Sequence, residues 1–268
     1  MVVAMKTKLT LIMLFLVMGM LSGCNDVTKS ELDLVLDPIR EMPEAEQQAA
    51  LQLFITENPE QAHYGLWELG NIMYDKAGVM KTAQKGVITL ECKALLDSAL
   101  VFYDLAAAAD TMFVHAYANA GLVWDELGEM RSIESRNAVV QAEKYYLKAI
   151  EVDSTEVNSR VNLGSLLFKK KDLTGAIKQY QTVLDNDPEC AIAHYKLGIM
   201  FAETKIYKEA IIEWKLAAKY DPDGDVGKIS RENIQVIDDL MNSDTPEELK
   251  KKKFGSKASK ASSSKSKH

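Results

Sequence analysis

Histidine, cysteine and paired carboxylates are the side chains most able to ligate metal or move protons, and this 268-residue chain places them apart. His63, His115 and His194 are spread along the sequence, and His268 is the last residue. Three cysteines, Cys24, Cys92 and Cys190, show no Cys-x-x-Cys spacing. There is no Gly-x-Ser-x-Gly, no phosphate-binding Gly-rich loop and no His-Glu-x-x-His. The 39 acidic residues read as solvated helix faces, because no pair demands acid–base work. The expectation is therefore no enzyme, no metal and no cofactor. Any function must come from a surface.

Charge narrows the kind of surface. Residues 25–249 hold 22 basic and 39 acidic side chains, a net of −17, while 250–268 hold eight lysines and no acid. An acidic body repels a phosphate backbone, so no nucleic-acid partner is expected. The Lys/Ser-rich end at 250–268 has too little apolar surface to fold and reads as a disordered tail.

The N-terminus carries one reactive position. Lys6 and Lys8 precede an apolar run from Leu9 to Leu21, too short to cross roughly 30 Å of bilayer as a helix. The run exits through Leu21-Ser22-Gly23-Cys24. Basic start, apolar run and small-residue exit read as a secretory signal over 1–23. The exit resembles the lipobox of bacterial lipoproteins. That resemblance implies lipid attachment at Cys24, cleavage after Gly23, and a protein held extracytoplasmically on a bacterial membrane; Asn25 after the cysteine favours the outer membrane where the source has one. Two or three acyl chains anchor stably at ~0.8 kcal/mol per buried CH₂. Cys92 and Cys190 are expected as two free thiols.

The elements that position everything else announce themselves by repetition. Leu163 and Leu197, Gly164 and Gly198, Ala176 and Ala210, Tyr180 and Trp214, and Pro188 and Pro222 each stand 34 residues apart. Within each unit a Leu-Gly pair lies in one amphipathic helix, and Ala, an aromatic and a small or β-branched residue recur at i, i+4, i+7 in the next. Asp-Pro ends the second helix, since proline disfavours helical geometry in the residue before it. Glycine and alanine at the crossing allow two helix axes to approach closely, with the aromatic filling the space to the next hairpin. Earlier units reuse the frame with insertions: Gly121, Trp124, Ala142 and Tyr146, then Gly70, Ala99, Tyr103 and Ala106.

This frame resembles the tetratricopeptide-repeat family. The resemblance implies an all-α fold, a helical solenoid of antiparallel helix hairpins. Four repeats are placed at 63–113, 114–156, 157–190 and 191–224, after N-terminal helices within 24–62 and before a C-terminal capping helix at 225–249. Asp37-Pro38 and Met42-Pro43 read as helix starts, Lys76–Thr89 as a loop, and 132–150 as one lengthened helix.

In this family first helices line a concave groove that binds peptides or partner helices. Carried over repeat by repeat, the lining is Tyr64, Trp67, Asn71 and Tyr74; His115, Leu122 and Asp125; Asn158, Val161, Ser165 and Phe168; Tyr195 and Ile199. Packing of Tyr64, Trp67 and Tyr74 against the N-terminal helices competes with that reading. Family members that clamp a C-terminal carboxylate use Lys, Asn and Arg, where this chain has Val161, Ser165 and Ile192, so that mode is not expected. The sequence thus points to a lipid-anchored protein-interaction scaffold or assembly factor of the cell envelope, with other envelope proteins as partners. The competing expectation is a capture protein holding a peptide or oligosaccharide in the groove.

Overall fold

The computed structural model describes residues 30–130 and 135–242, and every regular element among them is helical. The signal segment, Cys24, and the tail at 250–268 lie outside the described residues. None of the described helices is long and apolar enough to cross a membrane. The chain divides into two compact units, at Val152/Asp153.

The first unit begins with α1 (Glu31–Arg40) and α2 (Glu44–Glu57), followed by a 3₁₀ turn at Pro59–Gln61. Ser30 caps α1 by accepting the Asp33 amide. Pro38, expected at a helix start, sits inside α1 near its end. The helix is only ten residues long, so the bond a proline cannot donate falls in the last turn, where it costs least. Leu36, Ile39, Leu51 and Phe54 bury α1 and α2 in one core with the helices that follow.

Two hairpins complete this unit: α3 (Ala62–Ala83) with α4 (Leu90–Ala109), and α5 (Val114–Gly128) with α6 (Ser135–Val152). The segment 76–89 is not the loop expected. Helix α3 continues through Gly78 to Ala83, because Ala77 and Met80 pack into the core on one face. Only residues 84–89 turn. Lys85, at φ +54°, and Gly86, at φ +90°, supply the left-handed backbone there, and Thr89 caps α4 by accepting the Cys92 amide at 3.3 Å. Of the helix expected at 132–150, the described part runs as α6 to Val152.

The second unit stacks α7 (Val157–Lys169) on α8 (Leu173–Asn186), α9 (Ala191–Glu203) on α10 (Tyr207–Tyr220), and α11 (Asp225–Asn242) on α10. Asp187 and Asp221, each preceding a proline, leave helical backbone and end α8 and α10. The turns inside both hairpins share one device. Lys171 and Lys205 adopt φ of +69° and +66°. Asp172 N then donates to Leu167 O at 2.9 Å, and Ile206 N to Phe201 O at 2.8 Å. This is the Schellman closure usually built on glycine.

The glycine of each first helix lies beneath the aromatic ring of its own second helix. A Cβ on Gly70 would meet Tyr103 at 2.5 Å, on Gly121 Tyr146 at 2.6 Å, on Gly164 Tyr180 at 2.6 Å, and on Gly198 Trp214 at 2.5 Å. The rings therefore close their own hairpins. Tyr103 also reaches the next hairpin, at Asn119 of α5, as the sequence pattern led one to expect. Ala99, Ala142, Ala176 and Ala210 are buried beside them.

Candidate functional site: the wall of first helices

In the first unit α1, α3 and α5 lie side by side, and their facing residues join into two clusters. One is polar. Arg40 donates to both oxygens of Glu68, from Nε at 2.8 Å and Nη2 at 2.9 Å. Asn71 Nδ2 donates to Glu68 Oε2 at 3.1 Å, and Asn71 Oδ1 accepts from Tyr103 OH and Asn119 Nδ2, both at 2.9 Å. Asn71 is thus a structural junction of α3, α4 and α5. The bond to Glu68 holds the Arg40 guanidinium above its ordinary pKa. Farther along, Lys81 reaches Glu126 at 2.6 Å. Burial first, then the Glu126 carboxylate, push the Tyr74 hydroxyl well up in pKa.

The second cluster is aromatic. Trp67, 5% exposed, meets Phe113 edge-on at 6.0 Å and His115 at 5.7 Å, with the Arg40 guanidinium 5.9 Å from its ring. His63 touches Tyr64 and Phe113, and its Nε2 lies 3.9 Å from Asp110 Oδ2. Burial lowers the His63 pKa, against a smaller opposing pull from Asp110. Burial raises that of Tyr64, assisted by Glu31 of α1. Tyr64 and Trp67 are thus enclosed by Phe113, with Glu31 and Arg40 of α1 beside them. His115 is exposed, and Leu122 and Asp125 are half-buried.

In the second unit the wall is α7, α9 and α11. Asn158 is exposed and Phe168 half-buried, with Lys171 Nζ 5.9 Å over the Phe168 ring. Ser165 Oγ donates to Val161 O at 3.0 Å and lies 3.1 Å from Tyr180 OH, which burial pushes up to about 12. Ile199 is half-buried against the α9–α11 core. Two residues expected on the open wall are interior. Val161, 3% exposed, packs between α7 and α9, and Tyr195, also 3% exposed, lies under α11. Both face the neighbouring first helix, which closes over them; Trp67 is withdrawn in the same way by α1 and Phe113.

Sequence reasoning missed the contacts that organise the wall. Arg40, Glu68 and Asn119 are far apart in sequence and carry no common spacing. His194 is buried, with Nδ1 2.7 Å from Glu213 Oε2 and Nε2 3.0 Å from Pro188 O. It ties α9 to α10 and to the preceding turn. Cys92 and Cys190 are free and buried, and burial raises both thiols in pKa. No group of three metal-binding side chains forms among the described residues.

A family model described as tetratricopeptide repeat matches residues 161–225. Over 113 residues the chain is 33% identical to the anaphase-promoting complex subunit CDC16 of Saccharomyces cerevisiae, a match covering 38% of this chain and 13% of that protein. The structure is similar to a thermophilic tetratricopeptide-repeat protein of Thermus thermophilus, with a TM-score of 0.55 at 13% identity, covering 86% of this chain and 99% of that one. The fold is thus an all-helical solenoid of paired antiparallel helices in each unit, with the tetratricopeptide-repeat match falling on residues 161–225.

Proposed function

We propose that this tetratricopeptide-repeat chain is a protein-interaction scaffold of the bacterial cell envelope, held to a membrane through a lipidated Cys24. The scaffold part follows from the repeat fold and the family match. The anchor and the envelope setting rest on the Leu-Ser-Gly-Cys exit of the N-terminal apolar run. The observation that carries the reading is the wall itself. The first helices α7 and α9 lie side by side, and Phe168 of α7 and Ile199 of α9 remain partly open. Such residues anchor a partner's helix or extended segment. The yeast relative is a subunit of a protein assembly, in keeping with this role.

Two measurements test the proposal separately. Cys24→Ala is expected to release the protein from membranes; retention after a high-salt wash overturns the anchor. Proximity labelling from the anchored chain is expected to mark a defined set of envelope proteins that Phe168→Glu with Ile199→Glu depletes. An unchanged set overturns the wall as the binding surface.

A further inference from the structure

We propose that the edge of the second unit formed by its two hairpin turns is a docking surface for an anionic lipid bilayer, met through lysines and aliphatic side chains together. This edge lies at the helix ends, and lipidation of Cys24 is not required for it.

The two edges of the unit differ in charge. Antiparallel hairpins bring the turns inside them, 169–173 and 203–207, to one edge, and the turns that follow them, 186–191 and 220–225, to the other. The first pair holds Lys169, Lys170, Lys171 and Lys205 against Asp172 and Glu203; the second pair holds five acids and no base. All four lysines are exposed. Asp172 Oδ1 is already bonded, accepting Gly175 N at 2.9 Å to cap α8. A negatively charged bilayer therefore attracts one edge and repels the other, which orients the unit on it.

The backbone points to the same side chains. Lys171 and Lys205 hold φ of +69° and +66°, and the third non-glycine residue of positive φ among the described residues is also a lysine, Lys85. Glycine takes this geometry without the clash that a Cβ brings. The same costly choice in three hairpin turns points to a use for the lysine side chain. Beside two of them stand Leu173 and Ile206, 39% and 44% exposed. In the first unit, taken by itself, Val87 and Leu90 accompany Lys85 and are more exposed still. An aliphatic group enters the acyl boundary while a neighbouring ammonium reaches lipid phosphate. A soluble polyanion would use the charges and leave Leu173 and Ile206 in water.

The end of the chain adds to this edge. From the turn at 221–224, α11 runs back along α10 and finishes at the edge of the lysines, with Met241 exposed. Beyond Asp244, Glu247 and Glu248, the sequence supplies eight lysines and no acid over 250–268.

The test mixes the full chain with vesicles of phosphatidylcholine alone and with about 30% phosphatidylglycerol, and reads the ratio of the two partition constants. The N-terminal apolar run and the 250–268 segment are common to every variant, so comparison between variants isolates the turns. Lys171→Gly with Lys205→Gly removes two charges and gives each turn the residue that its backbone favours. The ratio is expected to fall at least about fivefold. Lys219→Gln with Lys228→Gln makes the same change in net charge beside the acidic turn, and is expected to leave the ratio within about twofold. Leu173→Ser with Ile206→Ser is expected to weaken binding to the anionic vesicles even at about 0.5 M salt, where charge is screened. Equal loss from the two lysine pairs, or a ratio untouched by Lys171→Gly with Lys205→Gly, overturns the proposal. So does binding to soluble polyphosphate as tight as to vesicles and indifferent to the Leu173 and Ile206 substitutions, which would make the partner a polyanion and not a membrane. The vesicles carry no partner protein, so a failure here leaves the Phe168–Ile199 labelling result standing.

Discussion

Trp214 lies across Gly198, its Cδ1 and Nε1 each 2.5 Å from where a side-chain carbon on that glycine would stand. No methyl group fits at that distance, and the ring is held on its other faces by the core of α9, α10 and α11. Gly198→Ala is expected to force ring or helix aside and to cost about 1–3 kcal/mol. Gly78 of α3 has open space around its Cα. Gly78→Ala removes only backbone freedom and is expected to stabilise by about 0.5–1 kcal/mol. Urea unfolding followed by helix content reads both, and equal signs for the two would refute the ring-on-glycine closure.

Lys171 and Lys205 hold left-handed backbone where other proteins place glycine. Left-handed geometry costs a residue with a Cβ roughly 1–2 kcal/mol, of which a glycine returns part as unfolded-state entropy. Lys171→Gly is expected to gain about 0.5–1 kcal/mol in the same urea assay. A loss would mean that the lysine's contact with the Phe168 ring outweighs the backbone term.

His63 is buried neutral, its pKa lowered from 6.5 by desolvation. The unfolded chain binds the proton more readily than the folded one. Stability from this site is therefore complete above the unfolded value and falls as pH drops through 6.5 toward the lower folded value. His63→Gln is expected to flatten that slope, seen as a smaller drop in Tm between pH 7.5 and 5.5, about the range over which a histidine titrates. An unchanged slope would show that other groups set it.

Arg40 is the main counter-charge of the well-buried Glu68. Arg40→Ala leaves that carboxylate with the Asn71 amide alone and is expected to cost about 1–3 kcal/mol. Adding Glu68→Gln should recover part of the loss, measured as a coupling energy in a double-mutant cycle. Additive effects would show that the pair is solvated and weak.

The sequence made the hairpins legible because their closure is local. Leu-Gly, Ala, an aromatic and Asp-Pro recur at a fixed distance, and each places a residue where helix geometry alone dictates its neighbour. The wall was less legible. Periodicity gave the phase of Trp67, Val161 and Tyr195, but not the helix that covers each of them. Asn71 and Asn119 meet across 48 residues, with nothing in the intervening sequence to pair them. Gly78 misled because a lone glycine reads as a break, whereas burial of Ala77 and Met80 carries the helix past it.

Each ring-on-glycine contact also closes a loop of definite length. Gly164 and Tyr180 are 16 residues apart, as are Gly198 and Trp214, whereas Gly70 and Tyr103 are 33 apart. Doubling a loop adds about 0.6 kcal/mol of closure entropy. By that measure the late hairpins close at the lower entropic cost, and the first hairpin at the higher.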